Sequence, residues 1–143
     1  MENIRSLIVK GKYMIDWNKL NFVPEEFQCK CCRVLKIDDD FIETLQEIRN
    51  TYGKPMNVSS GYRCSAHPIE ARKVERGGKP GSHYSGKAAD IACTGSDALT
   101  LLRVALSHDK ITGVGVNQKG PHGARFIHLD TVVTTPRPNV WSY

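Results

Sequence analysis

Between Asp38 and Tyr52 the apolar residues Phe41, Leu45, Ile48 and Tyr52 recur every three or four positions, which is one face of a helix. Asp38 stands where a helix cap is needed, and Gly53 and Pro55 supply the stop. "MNVSSGYR" follows as a short strand running into a turn at Ser60 and Gly61. "HPIEARKVERGG" reads as a short, mostly solvated helix from Pro68 to Gly77. "KAADIAC" is a candidate buried strand, and "SDALTLLRVALSH" a second apolar helix with Ser96 as its cap. "TGVGV" and "ARFIHLDTV" are two further strands, joined by the turn-rich "NQKGPHG" and expected to pair antiparallel. The first 35 residues show no clear period and read as an irregular region, anchored by Trp17, Phe22 and Phe27. The sum is one α+β domain over residues 1–143, a small antiparallel sheet flanked by helices.

A chain of 143 residues can bury one substantial core without disulfide staples. No apolar run approaches the roughly 18 residues needed to cross a bilayer, so membrane insertion is not expected. "MENIRSLIVKGKYMIDW" lacks a basic segment followed by a long apolar core, so no signal peptide is read and synthesis in the cytoplasm is expected. Work outside the cell then needs lysis, a pore or delivery in a particle. The net charge of +5 suits an anionic polymer, but the charges are scattered, and "EARKVER" interleaves acids with bases as a solvated helix face does. Nucleic acid is therefore not an expected partner, and a monomer is expected.

Five cysteines leave at least one thiol unpaired within a monomer. "CKCC" (Cys29, Cys31, Cys32) is compact enough to suggest metal, yet structural zinc sites use C-x(2–4)-C pairs and four ligands. Adjacent Cys31 and Cys32 would point differently on most backbones. Buried free thiols are the expectation for these and for Cys64 and Cys93, with a Cys29–Cys64 staple and a zinc site organised by Cys29, Cys31 and Cys32 left open.

The polar residues of the strands carry the candidate chemistry. In "RFIHLDT", Phe126, His128 and Asp130 share one face of a strand, and Ile127 and Leu129 the other. Asp90 stands inside an apolar strand, where a lone carboxylate is costly unless paired or bound to a cation. Placed side by side, the two strands let His83, Asp90 and His128 converge, with Gly86 and Ala88 leaving the path free of bulk. Two imidazoles and a carboxylate suit zinc, and three protein ligands leave a fourth position for water. The spacing alone leaves a salt-linked histidine beside a surface aspartate equally open. Ser60 and Ser82 lack an obvious activating pair, a cysteine nucleophile with His67 has only residue types behind it, and His67 and His108 read as surface or capping histidines. Trp141 and Tyr143 are read as cover for the core, with a substrate groove as the alternative.

"SHYSGKAADIA" with "FIHLD" downstream and "SSGYRC" upstream resembles the zinc D-alanyl-D-alanine peptidases, a family of cell-wall carboxypeptidases, dipeptidases and phage endolysins. His83, Gly86, Ala88, Asp90 and His128 match the H-x(2)-G-x-A-x-D…H part of its signature, with Ser82 directly before His83, and "PRPNVWSY" is similar to the end of one branch. The likeness runs from about "EEFQCKCC" to the C-terminus. It implies a Hedgehog/DD-peptidase-like fold and zinc on His83, Asp90 and His128. Arg63 would face substrate and stabilise the developing oxyanion. Several branches place an acid three residues before the last ligand; this chain has Arg125 there. The resemblance therefore leaves Asp130 as the candidate base, with His122 as runner-up and a role for Asp130 in orienting a ligand imidazole equally open.

The implied activity is hydrolysis of amide bonds in peptidoglycan stem peptides, of the D-Ala-D-Ala carboxypeptidase or L-Ala-D-Glu endopeptidase type, by a phage or prophage lysis enzyme. The alternative is a zinc-containing module that binds cell wall or a protein without cutting, as the Hedgehog domains of similar fold suggest.

Overall fold

The computed structural model describes residues 8–10 and 13–143, with side chains from Ile15 onward. Two short strands, β1 (Ile8–Lys10) and β2 (Tyr13–Ile15), form an antiparallel hairpin. Two 3-10 turns follow, Trp17–Lys19 and Pro24–Phe27. The N-terminal stretch is thus more ordered than its lack of period suggested; the part of that expectation covering residues 1–7, 11 and 12 lies outside the described residues. Its anchors behave as expected. Trp17 and Phe22 pack on Phe27 at ring separations of 5.8 and 5.6 Å, and all three are buried. Each such ring contributes about 2 kcal/mol by leaving water.

Helix α1 (Asp39–Tyr52) starts at Asp38, whose carboxylate accepts the Phe41 N–H at 3.0 Å, and ends at Gly53 in the left-handed region. Strand β3 (Asn57–Ser60) leads through the Gly61–Cys64 segment to α2 (Pro68–Glu75). His67 caps α2 by accepting the Ile69 N–H on Nδ1, the capping role expected of it. A 3-10 turn, Ser82–Ser85, precedes β4 (Ala88–Ala92). Helix α3 (Gly95–Leu106) begins two residues earlier than expected: Thr94 is its cap residue, and Ser96 lies inside its first turn. Strands β5 (Gly113–Asn117) and β6 (Phe126–Asp130) are joined through a 3-10 turn at His122–Ala124, and β7 (Asn139–Ser142) ends the chain.

The five-stranded sheet has the order β3-β4-β6-β5-β7. Neighbours are antiparallel as expected, except that β7, which the hydrophobic pattern did not reveal, joins β5 in parallel. The architecture is α+β, consistent with the fold that the sequence resemblance implied. Alternation divides the sheet into two chemistries. Ala89, Ile91, Val114, Ile127 and Leu129 form one core with Leu45 and Ile48 of α1 and Leu101 and Ala105 of α3. Asp90, His128 and Asp130 face away from it. No described helix is long and apolar enough to cross a membrane.

Candidate metal centre

Strand register builds the site. Ser60 pairs with Asp90, Asp90 with His128, His128 with Gly115, and Gly115 with Trp141, a row of five positions across the sheet. The next row sets Ala88, Asp130, Gly113 and Asn139 side by side. Directly paired residues project to the same face, so Asp90 and His128 meet because their strands are in this register. The small residues of β5 make room for them. A Cβ on Gly115 would lie 2.6 Å from Trp141 Nε1, and one on Gly113 would collide with the Asp130 carboxylate.

His83 comes from outside the sheet, on the 3-10 turn before β4. That turn ends at Gly86 with φ +76°, where a Cβ would sit 2.9 Å from the Lys36 carbonyl oxygen. Gly86 therefore serves a left-handed turn pressed against the backbone of residues 36–37, beyond the absence of bulk that the sequence suggested.

The three residues converge. His83 Nε2 is 3.2 Å from Asp90 Oδ1, His128 Nδ1 is 3.0 Å from the same oxygen, and the two nitrogens are 3.2 Å apart. All three residues are buried. The outer nitrogen of each ring is engaged elsewhere: His83 Nδ1 faces the Gly61 carbonyl at 2.7 Å, and His128 Nε2 faces Asp130 Oδ2 at 2.7 Å. Each acceptor draws the ring proton outward, so the neutral rings turn their lone pairs toward Asp90. A nearly equilateral triangle of buried electron-pair donors fits a cation. Zinc bonds of about 2.0–2.1 Å in tetrahedral geometry require ligand atoms about 3.3 Å apart, close to the spacing found.

The protonation energetics agree. Burial lowers the pKa of His83, favouring the neutral ring that a metal needs. Burial opposes ionisation of Asp90, but hydrogen bonding with His128 and His83 outweighs it and holds the carboxyl below the ordinary range. Burial likewise opposes a charged His128, yet bonding to Asp130 and Asp90 prevails and its pKa is raised.

Asp130 is fully buried. Besides His128 it accepts Arg137 Nε–H on Oδ1 (3.0 Å), Arg137 Nη2–H on Oδ2 (2.8 Å) and the Val132 N–H on Oδ1 (3.2 Å). Burial raises its pKa, but the bonds from His128 and Arg137 win and the carboxyl stays ionised well below the usual range. His122 is exposed and does not line the cleft beside the triad.

Arg63 lies on the cleft wall. It donates from Nη2 to Asp90 Oδ2 (3.1 Å), from Nη1 to Glu70 Oε2 (3.3 Å) and from Nε to the Ser60 hydroxyl (3.1 Å). Helix α2 is mostly solvated as expected, with Glu70 as the exception: it is completely buried and also accepts the Gly81 N–H at 2.6 Å. Burial raises its pKa, but the Gly81 N–H, Lys73 and Arg63 lower it more. One acid of "EARKVER" thus faces inward and supports the arginine.

The cleft has a volume of about 620 Å³. Arg137, Trp141 and Tyr143 line it, together with Arg63, Ser82 and the triad. Trp141 and Tyr143 therefore stand on the cleft wall beside the triad, the place that the groove alternative requires. Trp141 is 5.1 Å from the His128 ring, and the Arg137 guanidinium stacks on Trp141 at 4.7 Å. Arg137 was not singled out in the sequence; its only signal there is its place in "PRPNVWSY".

The cysteines depart from expectation. Cys29 is buried, but Cys31 and Cys32 are exposed, and the sulfurs of Cys29, Cys31, Cys32 and Cys64 lie within 4.8 Å of one another. The overlooked signal is the C-x(2)-C spacing of Cys29 and Cys32.

A search of curated proteins finds no match to the chain. The family model described as Peptidase M15 matches residues 20–130, which include Arg63 and all three residues of the triad. The chain belongs to the peptidase M15 family.

Proposed function

We propose that the protein is a zinc peptidase that hydrolyses amide bonds in peptidoglycan stem peptides, as a D-Ala-D-Ala carboxypeptidase or an L-Ala-D-Glu endopeptidase. The observation that carries the reading is the donor triangle of His83 Nε2, Asp90 Oδ1 and His128 Nδ1, with sides of 3.0–3.2 Å, beside an open cleft. Zinc on these residues would supply Lewis acidity, lowering the pKa of water toward neutrality and polarising a carbonyl.

The chain's own groups divide the remaining work. Asp130 keeps the His128 proton on Nε2 and so keeps Nδ1 available as a ligand atom. Of the two roles the sequence left open for Asp130, this geometry supports orienting the imidazole, because the carboxylate is fully buried and already accepts three donors besides His128. Arg63 presents a fixed guanidinium to substrate oxygen, held by Glu70 and Asp90. Arg137 brings a second guanidinium to the same cleft. Two cations beside aromatic walls suit a short peptide bearing carboxylates, which stem peptides are. The net charge of +5 favours approach to anionic wall polymers. The reading extends to a phage or prophage lysis enzyme, made in the cytoplasm and acting on the wall after release or delivery.

Mass spectrometry of muropeptides after digestion of purified peptidoglycan tests the reading. New termini at one of the two bonds are expected, lost on chelation and restored by zinc. A second reading, a zinc module that binds wall peptides without cutting, is favoured by one observation. Among the described residues that line the cleft, Asp90 is the sole carboxylate, and Arg125 stands three residues before His128. Saturable binding of muropeptides with no released product would support it.

A further inference from the structure

Residues 29–34 fold into a tight knuckle. Cys29 N–H donates to the Val34 carbonyl at 2.9 Å, Arg33 N–H donates to the Cys29 carbonyl at 2.7 Å, and Arg33 adopts φ +65°. A positive φ is uncommon for a residue with a side chain. This turn brings Cys29, Cys31 and Cys32 to one point although two of them are adjacent in sequence. The fourth cysteine arrives from the segment after β3. Cys64 Sγ is 3.3 Å from Cys31 Sγ, and Cys64 N–H points at Cys29 Sγ at 3.4 Å. An amide donated to sulfur stabilises a thiolate.

We propose that Cys29, Cys31, Cys32 and Cys64 bind a second zinc ion as a closed, structural tetrathiolate site. A tetrahedron with zinc–sulfur bonds of about 2.3 Å has edges near 3.8 Å. Four sulfurs within 4.8 Å of one another meet that requirement with small adjustments. Binding displaces the thiol protons to solvent. A disulfide requires sulfurs about 2.05 Å apart, and a single one would leave the convergence of the other two cysteines without a purpose.

The site would act on the cleft through the loop it clamps. Tyr62 N–H donates to the Phe27 carbonyl at 2.9 Å, and a Cβ on Gly61 would lie 2.5 Å from Phe27 Cα, so these two segments already press together. Gly61 supplies the carbonyl that orients His83, and Arg63 immediately precedes Cys64. A metal joining Cys64 to the knuckle holds both in place. Cys29, Cys31, Cys32 and Cys64 are thus positioning residues for the cleft.

The test is a metal count and a cobalt spectrum of the full chain purified under reducing conditions without chelator. Two zinc ions per chain are expected. Cobalt exchange should give thiolate-to-cobalt charge-transfer absorption in the near ultraviolet, to which the His83, Asp90 and His128 set contributes nothing because it contains no sulfur. A His83→Ala/His128→Ala variant should keep one zinc and the thiolate absorption; Cys32→Ser and Cys64→Ser should lose both features of the second site. One zinc per chain in the unaltered protein with no thiolate absorption would overturn the proposal. So would a disulfide among the four cysteines in intact-mass analysis of protein purified without reductant. Either result leaves the count at the cleft, and the peptidase reading, to stand or fall on its own.

Discussion

His128 and Asp90 occupy directly paired positions on β6 and β4, with His128 Nδ1 3.0 Å from Asp90 Oδ1. Hydrogen bonding to Asp130 and Asp90 raises the His128 pKa, so zinc competes with a proton for this ring. Zinc affinity should therefore rise with pH through and above the ordinary histidine value of about 6.5. For folding without metal the sign is opposite. A histidine whose pKa is raised by folding contributes stability that is full below the unfolded value and is lost as pH climbs through the folded one. Thermal melts with and without zinc should diverge as pH increases, and parallel curves would contradict the assignment of His128 as a ligand.

Replacing His83, Asp90 or His128 by alanine should remove zinc from the cleft and abolish amide hydrolysis. Equilibrium dialysis separates this from misfolding when circular dichroism shows a retained fold. A variant that hydrolyses normally without bound metal would exclude the proposed chemistry.

Asp130→Asn keeps the size of the side chain but weakens its hold on the His128 Nε2 proton. A fall in zinc affinity of about 10–100-fold is expected, with activity largely restored by excess zinc. If Asp130 were instead the base, saturating zinc would leave kcat depressed, and the acid limb of the pH–rate profile would shift.

Glu70 lies behind Arg63, fully buried. Glu70→Gln removes the charge that balances Arg63 and should cost about 3 kcal/mol at neutral pH, as breaking a buried pair does. Its depressed pKa means that the stabilisation is present above the unfolded carboxyl value and disappears as pH falls through the folded one. Urea melts of the two proteins should therefore converge in acid. Arg63→Ala should lower kcat by about 10²–10³, the range for loss of one oxyanion donor, while Arg63→Lys should recover only part of it.

Gly113→Ala puts a methyl group into the Asp130 carboxylate. Overpacking there should cost about 1–3 kcal/mol and also weaken zinc binding, because Asp130 steers His128. Gly115→Ala meets Trp141 rather than Asp130. It should raise KM for peptides more than it disturbs zinc, a contrast that calorimetric zinc titration and steady-state kinetics together would reveal.

Periodicity was sufficient for α1, whose apolar face and terminal residues agree with the structure because helix signals are local. The same holds for β4, β5 and β6, where alternation marks the face that turns from the core. It failed for β7. "NVWS" is short and largely exposed, and it is a strand only because the β5 edge is there to pair with it. Glu70 escaped notice for a similar reason: nothing in "EARKVER" distinguishes the acid that meets Arg63 from those that meet water.

What sequence alone determined is the set of donors. Asp90 within an apolar strand and His128 two residues before Asp130 declare a polar face whose burial demands a partner. Tertiary structure decided which partners those are. Strand register set Asp90 against His128, the glycines of β5 opened the space for Asp130 and Trp141, and a turn with Arg33 at positive φ gathered cysteines that adjacency seemed to hold apart. These are relations among distant segments, and their energies depend on separations of a few ångströms that no local pattern encodes.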